Sequence, residues 1–297
     1  MIGIQISMLR GNTFEEAVGI FRRLQARFGL SSCEIHLEQS LYSSAVRPSE
    51  IKDQEIVTDL RSSVARLGIH LPFMDMNPVS SNSRIAETSF RILNESLEFA
   101  SVVRADYAVF HARGRVTGSV SRQETLLRWQ EIVARLAESA SELGLVFCLE
   151  NADDIRQLNE VFALQKSTGN AVRLCLDLGH LFEREYASSF LTRMAYVIND
   201  RISPFPFLLK KGLPVQEGYN WPEMMGRILE KIACIHLHNH DGRMAHRRLC
   251  RGKIKFNSLR KFGSQLQEIP VILEADYSRC TMDEIEEDLM FMMELLP

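Results

Sequence analysis

The chain has 297 residues, 45% hydrophobic and 25% charged, which excludes a disordered, collagen-like or coiled-coil protein. With 35 basic and 38 acidic residues the net charge is −3, so no global positive field draws the chain to nucleic acid or anionic lipid. No apolar run approaches the roughly 20 residues that span a bilayer, and Met1 leads straight into the strand-like Ile2-Gly3-Ile4-Gln5-Ile6 without a signal-like segment. A cytoplasmic protein with no membrane partner is expected.

In chain order, eight short apolar runs recur: Ile2–Met8, Cys33–Leu37, Ile69–Phe73, Tyr107–Phe110, Leu145–Leu149, Val172–Leu178, Ile232–Leu237 and Val271–Leu273. Runs apolar on both faces suit parallel strands buried on both sides. Helix-period segments lie between them, among them Phe14-Ala17-Val18-Phe21-Leu24 and Ile132-Leu136-Ala140-Leu143. Thr13…Glu16, Ser121…Glu124 and Thr281…Glu284 have the spacing of a helix-starting capping box. Gly29, Gly68, Gly144 and Gly169 then read as left-handed helix ends before the next strand. Strand–helix alternation repeated eight times predicts a single (β/α)8 TIM-barrel domain over residues 1–297. The rival, an open doubly wound sheet, usually carries a Gly-rich phosphate loop after its first strand, and Met8-Leu9-Arg10-Gly11-Asn12 is not one.

The six cysteines contain no CxxC pair and read as small buried apolar residues of a reducing compartment. The interval between strands six and seven is the longest, with a helix read over about Glu183–Ile198 and an insertion over about 199–222 holding Pro204, Pro206, Pro214 and Pro222. Loops of this length are usually lids or binding loops. Ile285–Leu296 has the spacing of a terminal helix, packing on the barrel or serving a homo-oligomer contact.

Polar residues collect where barrel strands end, which is where barrel chemistry sits. His70, His111, Glu150-Asn151, Asp177-Leu-Gly-His180, His236-Leu-His238-Asn-His240-Asp241 and Glu274-Ala-Asp276 fall on or after strands three to eight. All eight histidines fall in strands or in the loops after them, none in a helix-period segment. So many carboxylates and imidazoles at one mouth require positive charge to offset desolvation and mutual repulsion. A divalent cation supplies it, and mixed nitrogen and oxygen ligation suits Mn²⁺, Zn²⁺ or Fe²⁺ better than Ca²⁺.

The pattern His70-Leu-Pro-Phe, Phe110-His111, Leu149-Glu150-Asn151, Asp177-Leu-Gly-His180, Ile235-His236-Leu-His-Asn-His-Asp-Gly, His246…Gly252-Lys-Ile-Lys-Phe256 and Leu273-Glu274 resembles the xylose-isomerase-like TIM barrels over about residues 1–180 and 228–297. That superfamily contains sugar and sugar phosphate isomerases and epimerases, and the metal-dependent AP endonucleases. The resemblance to the epimerases implies one metal, Mn²⁺ ahead of Zn²⁺, Mg²⁺ or Fe²⁺, on Glu150, Asp177, His236 and Glu274. It also implies that Glu150 and Glu274 act as the acid/base pair through an enediolate, with His180 bonding the substrate. The expected function is therefore metal-dependent isomerisation or epimerisation of a sugar, sugar phosphate or related polyhydroxy compound. The alternatives are an AP-endonuclease-like phosphodiesterase, or a lyase or dehydratase on the same scaffold.

The resemblance to the endonucleases implies nine ligands around three zinc ions. Eight are matched, with His70, His111, His180 and His246 joining the four above, while the ninth position is Met244. A thioether is a poor zinc ligand beside hard oxygens. Where the superfamily loop commonly reads Gly-Glu-Gly, this chain carries six Arg or Lys between Arg243 and Lys255. Arg243 and Arg251 are read as a clamp for an anionic, small-molecule substrate. One basic loop falls short of what a duplex requires, so nucleic acid is not the expected partner.

Overall fold

The computed structural model describes residues 1–38, 41–114, 121–152, 158–186, 228–241 and 244–296. Strands β1 (Ile2–Gln5), β2 (Ser32–His36), β3 (Arg66–His70), β4 (Tyr107–Phe110), β5 (Val146–Glu150), β6 (Val172–Asp177), β7 (Ile232–Leu237) and β8 (Val271–Leu273) close in chain order into a barrel. Every neighbouring pair is parallel, including β8 with β1 through Gly3↔Ile272.

Alternation along each strand sorts side chains into two compartments. Cys33, Ile35, Leu67, Ile69, Ala108, Phe110, Phe147, Leu149, Leu174 and Leu176 join the core shared with the helices. Tyr107, Val109, Cys148, Cys175 and Cys234 form a separate cluster. Cys148, Cys175 and Cys234 thus serve as small filling residues there. All six cysteines are free, but only four are buried: Cys250 is exposed and Cys280 partly so, which corrects the reading of all six as buried.

The helices are α1 (Phe14–Phe28), α2 (Ile51–Ser63), α3 (Ser83–Val102), α4 (Arg122–Glu142), α5 (Leu158–Ser167), α6 (Leu178–Tyr186) and α7 (Met282–Leu295). Thr13 and Ser121 accept from the backbone N–H groups of Glu16 and Glu124, and Thr281 with Glu284 forms a reciprocal capping box. Gly29, Gly144 and Gly169 take the left-handed backbone foreseen for helix ends, with φ of +66°, +75° and +61°. Ile285, Leu289, Met292 and Leu295 of α7 are buried within this chain.

Three further expectations are corrected. The third strand runs from Arg66 to His70, so Gly68 lies inside β3 and ends no helix. Its lack of a side chain makes room for the Tyr107 ring, which would stand 2.3 Å from a Cβ there. The first strand stops at Gln5, and Ile6–Met8 tightens into a 3₁₀ turn. His180 is helical, because α6 starts immediately after Asp177. The insertion over 199–222 and most of the helix read over 183–198 lie outside the described residues. No helix among the described residues is long and apolar enough to cross a membrane.

Candidate active site

Strands β3 to β8 each bring a polar residue at or just beyond their C-terminal end to the same mouth. His70 ends β3, Glu150 ends β5 and Asp177 ends β6; His236 lies one residue before the end of β7, and His111 and Glu274 directly follow β4 and β8. Glu150, Asp177, His236, His70 and Glu274 are at most 2% exposed. Parallel pairing places Asp177 beside His236 in register. Asn151 joins the ends of β5 and β6, donating to Asp177 O at 2.9 Å and accepting from Asp177 N at 2.8 Å.

The centre is His236. Its Nδ1 lies 3.2 Å from Glu150 Oε2 and 3.1 Å from Glu274 Oε2, while Nε2 lies 3.1 Å from Glu34 on β2. Burial would raise Glu150, but His111 and His236 hold its carboxyl well below the usual carboxylate range. The same balance of burial against His236 keeps Glu274 ionised. Burial against His238 and His180 does so for Asp177. Burial alone would lower His236, yet Cys175, Glu34, Glu274 and Glu150 raise it well above an ordinary imidazole.

Glu150 Oε1, Asp177 Oδ2, His236 Nδ1 and Glu274 Oε2 are buried without a hydrogen-bond partner among the described residues. Nδ1 is near two carboxylates but out of alignment with both, so no single hydrogen bond satisfies the set. Buried polar atoms are rarely left so. Three carboxylates and one imidazole nitrogen sharing this defect fit a divalent cation.

The four additional histidines are also brought in. His111 Nε2 is 2.9 Å and His70 Nε2 3.5 Å from Glu150 Oε2, and Phe73 stacks on His111 at 4.5 Å. His180 lies 3.7 Å from Glu150 Oε1, and its ring is 5.3 Å from that of His246. The ligand atoms of His70, His111 and Glu150 lie within 4.8 Å of one another, as do those of His180, His238 and His246. The ninth endonuclease position has no carboxylate: Met244 is 57% exposed, and Asp241 is engaged by Arg247 Nε at 2.8 Å.

Arg251 is exposed on a 3₁₀ turn of the β7–β8 loop, and Arg243 lies outside the described residues. Two other cations of that loop are occupied: Arg247 by Asp241, and Arg248 by Glu284 and Glu287 of α7. Asn239 holds the loop in shape. Its amide donates to Leu249 O at 2.7 Å, and its Oδ1 accepts from His240 N at 2.8 Å and Ile254 N at 2.9 Å. Gly252 admits that side chain, since a Cβ would stand 2.1 Å from Asn239 Cγ.

Sequence reasoning missed Glu34 and His36 as members of the site, and it placed His238 at the mouth without a role. His36 Nε2 lies 3.4 Å from Glu274 Oε1, and His238 Nε2 lies 3.1 Å from Asp177 Oδ2. The available signal was period-two polarity in Ser32-Cys-Glu34-Ile-His36, which marks one polar, inward face within an apolar strand.

Residues 11–295 match the xylose isomerase-like TIM barrel family. The chain belongs to that family. No curated protein matches it in sequence. Among solved structures, a 3-keto-D-glucoside 4-epimerase from E. coli shares 12% identity at a TM-score of 0.67, covering 99% of this chain and 98% of its own. A Thermus thermophilus protein soaked with ZnCl₂ shares 21% at 0.64, covering 99% and 97%. Endonuclease IV from Thermus thermophilus shares 19% at 0.61, covering 99% and 98%. At these identities the likeness is one of fold, and family membership adds the superfamily, leaving chemistry to be argued from the site.

Proposed function

We propose that this chain is a divalent-metal-dependent isomerase or epimerase acting on a sugar or related polyhydroxy compound. The observation that carries the reading is the convergence of Glu150 and Glu274 on one nitrogen, His236 Nδ1, at 3.2 and 3.1 Å. The two carboxylates come from β5 and β8, far apart around the barrel, so they can flank a sugar bound at the mouth. Both are held ionised, as a general base must be.

Glu150, Asp177, His236 and Glu274 would hold the cation, whose chemistry is to polarise carbonyl and hydroxyl oxygens of the substrate. Mn²⁺ suits this oxygen-rich donor set, with Zn²⁺, Mg²⁺ and Fe²⁺ as alternatives. One carboxylate removes the proton from the carbon beside the carbonyl, and the C–H electron pair forms the carbon–carbon double bond of an enediolate. The other, once it has taken a proton from water or a substrate hydroxyl, returns one on the opposite face or at the neighbouring carbon, and the first gives up its proton to solvent to restore the pair. His180, 19% exposed beside Glu150, would bond a substrate oxygen. Arg251, unlike Arg247 and Arg248, has no carboxylate partner among the described residues, which supports an anionic substituent such as phosphate on the substrate.

Proton NMR in D₂O on a panel of ketoses and ketose phosphates with added Mn²⁺ tests this. Wild type should incorporate deuterium beside the carbonyl, and Glu274→Gln should lose that exchange while its circular dichroism is unchanged. Exchange that survives in Glu274→Gln overturns the two-carboxylate mechanism.

The second reading, a phosphodiesterase, is favoured by His70, His111, His180 and His246 standing around the same carboxylates. Against it are Met244 and the diversion of Asp241 to Arg247. Cleavage of an abasic-site duplex by a chain that exchanges no sugar proton would establish it.

A further inference from the structure

Glu34 lies on β2, separated from His236 on β7 by β1 and β8, and the two side chains meet only because the barrel closes. Glu34 is fully buried. Its Oε1 accepts from Gln5 Nε2 at 3.0 Å, and both its oxygens lie 3.1 Å from His236 Nε2. A carboxylate oxygen accepts from an N–H, so Nε2 carries a hydrogen toward Glu34. Nδ1, facing Glu150 and Glu274 at 3.2 and 3.1 Å, carries the second proton of the imidazolium, and a cation bound there would take that proton's place and leave the neutral Nε2–H form. A neutral imidazole free to turn or exchange tautomers would lose this alignment.

A second imidazole beside the site is fixed by the same logic. His238 Nδ1 accepts the backbone N–H of His246 at 2.9 Å. Asn239 O is also 3.2 Å from that nitrogen, but an N–H can be satisfied only by a lone pair. The hydrogen of the neutral His238 therefore sits on Nε2, which lies 3.1 Å from Asp177 Oδ2 without forming a hydrogen bond to it. The main chain thus sets the tautomer of His238, and a buried carboxylate fulfils the matching role for His236.

We infer that Glu34 is a positioning residue: through its hydrogen bond from Nε2 it fixes the tautomer and orientation of His236 and so sets how strongly Nδ1 binds a divalent cation. The inference rests on the proposed function, in which His236 is a metal ligand. Partners of this kind typically account for 10- to 100-fold in metal affinity.

The test is titration of the purified, metal-stripped full chain with Mn²⁺, followed by the EPR signal of the free ion. Glu34→Leu should weaken binding by about 10- to 100-fold. Glu34→Gln, which can still accept from Nε2–H through its amide oxygen, should recover part of that loss. Glu274→Gln, which removes a ligand, serves as the reference. ¹⁵N NMR of histidine-labelled, Zn²⁺-loaded protein should show His236 protonated on Nε2 in wild type and lose that single state in Glu34→Leu. Should Glu34→Leu misfold, Glu34→Gln alone still has to bind more weakly than wild type. Unchanged affinity in every folded Glu34 variant, with Glu274→Gln impaired, overturns the role of Glu34 alone. A wild type that binds no Mn²⁺, so that Glu274→Gln has nothing to lose, overturns the metal reading and this inference with it.

Discussion

The imidazole of His238 occupies the space where a side chain on Gly179 would begin: an ideal Cβ there would lie 2.0 Å from His238 Cε1 and 2.2 Å from Nδ1. Gly179 follows Asp177 by two residues, so the glycine on the first turn of α6 makes room for the ring that faces Asp177. Gly179→Ala should push His238 off Asp177 and weaken Mn²⁺ binding about tenfold or more. Because the clash is with one ring, Gly179→Ala should cost little stability in a His238→Ala background. Thermal denaturation of the four members of that double-mutant cycle measures the coupling, and simple additivity would refute it.

Arg248 is 8% exposed at its side chain and joins Glu284, Glu287 and Asp288 of α7. Asp288 is fully buried and also accepts from Leu249 N, Cys250 N and Tyr277 Oη. Arg248→Met would leave that carboxylate without a cation and should destabilise the chain by about 3 kcal/mol. The Arg247–Asp241 pair is 42% and 32% exposed, so Arg247→Met should cost under about 1 kcal/mol. Urea unfolding of the two variants ranks them, and equal midpoints would contradict the assignment.

Acid should destabilise the chain earlier than carboxylate titration alone would. Burial, then His70, pushes His36 down from 6.5 to about 3, and burial, then His238, pushes His246 down to about 4. The unfolded chain takes up these protons near pH 6.5, the folded one only at the lower values. Between them the unfolded state binds more protons, so stability present above about 6.5 is lost as pH falls toward 4 and then 3. Urea midpoints between about pH 7 and pH 4 should fall, and His36→Asn should flatten that slope. A flat wild-type profile would refute the assignment.

At the endonuclease-like position, Met244→Asp should raise bound zinc per chain if the site is a depleted trinuclear centre. Elemental mass spectrometry of wild type and variant purified side by side decides it, and equal zinc would leave the histidines around Asp177 with another role. In the same loop, Arg251→Glu should raise KM for phosphorylated ketoses far more than for free ones, whereas equal effects would remove the anion clamp.

The barrel was legible because its strands are short, apolar and regularly interrupted, and because a polar residue at a strand end has one place to go. Glu150, Asp177, His236 and Glu274 were singled out on that ground together with the resemblance, and the fold brings them together. Glu34 and His36 were hidden inside an apolar run, where a period of two carries the information and run length conceals it. The Glu34–His236 contact has no local trace, since it joins residues on β2 and β7 across the interior. Gly68 was misplaced because a glycine after a helical pattern reads as a helix end, whereas its real constraint is Tyr107 on the next strand. His180 was assigned to a loop because the expected linker between β6 and α6 has no length at all.

Asn239 gives the β7–β8 loop a frame made almost wholly of main-chain partners, with Gly252 shaped to admit it. Main-chain partners are indifferent to what side chains the loop displays. Charge at Arg251 or Lys253 can therefore be exchanged, by drift or by design, while the strand ends beneath remain as they are. Under the proposed function, ligand preference and reaction chemistry are then separable inheritances, and a descendant could change the one without rebuilding the other.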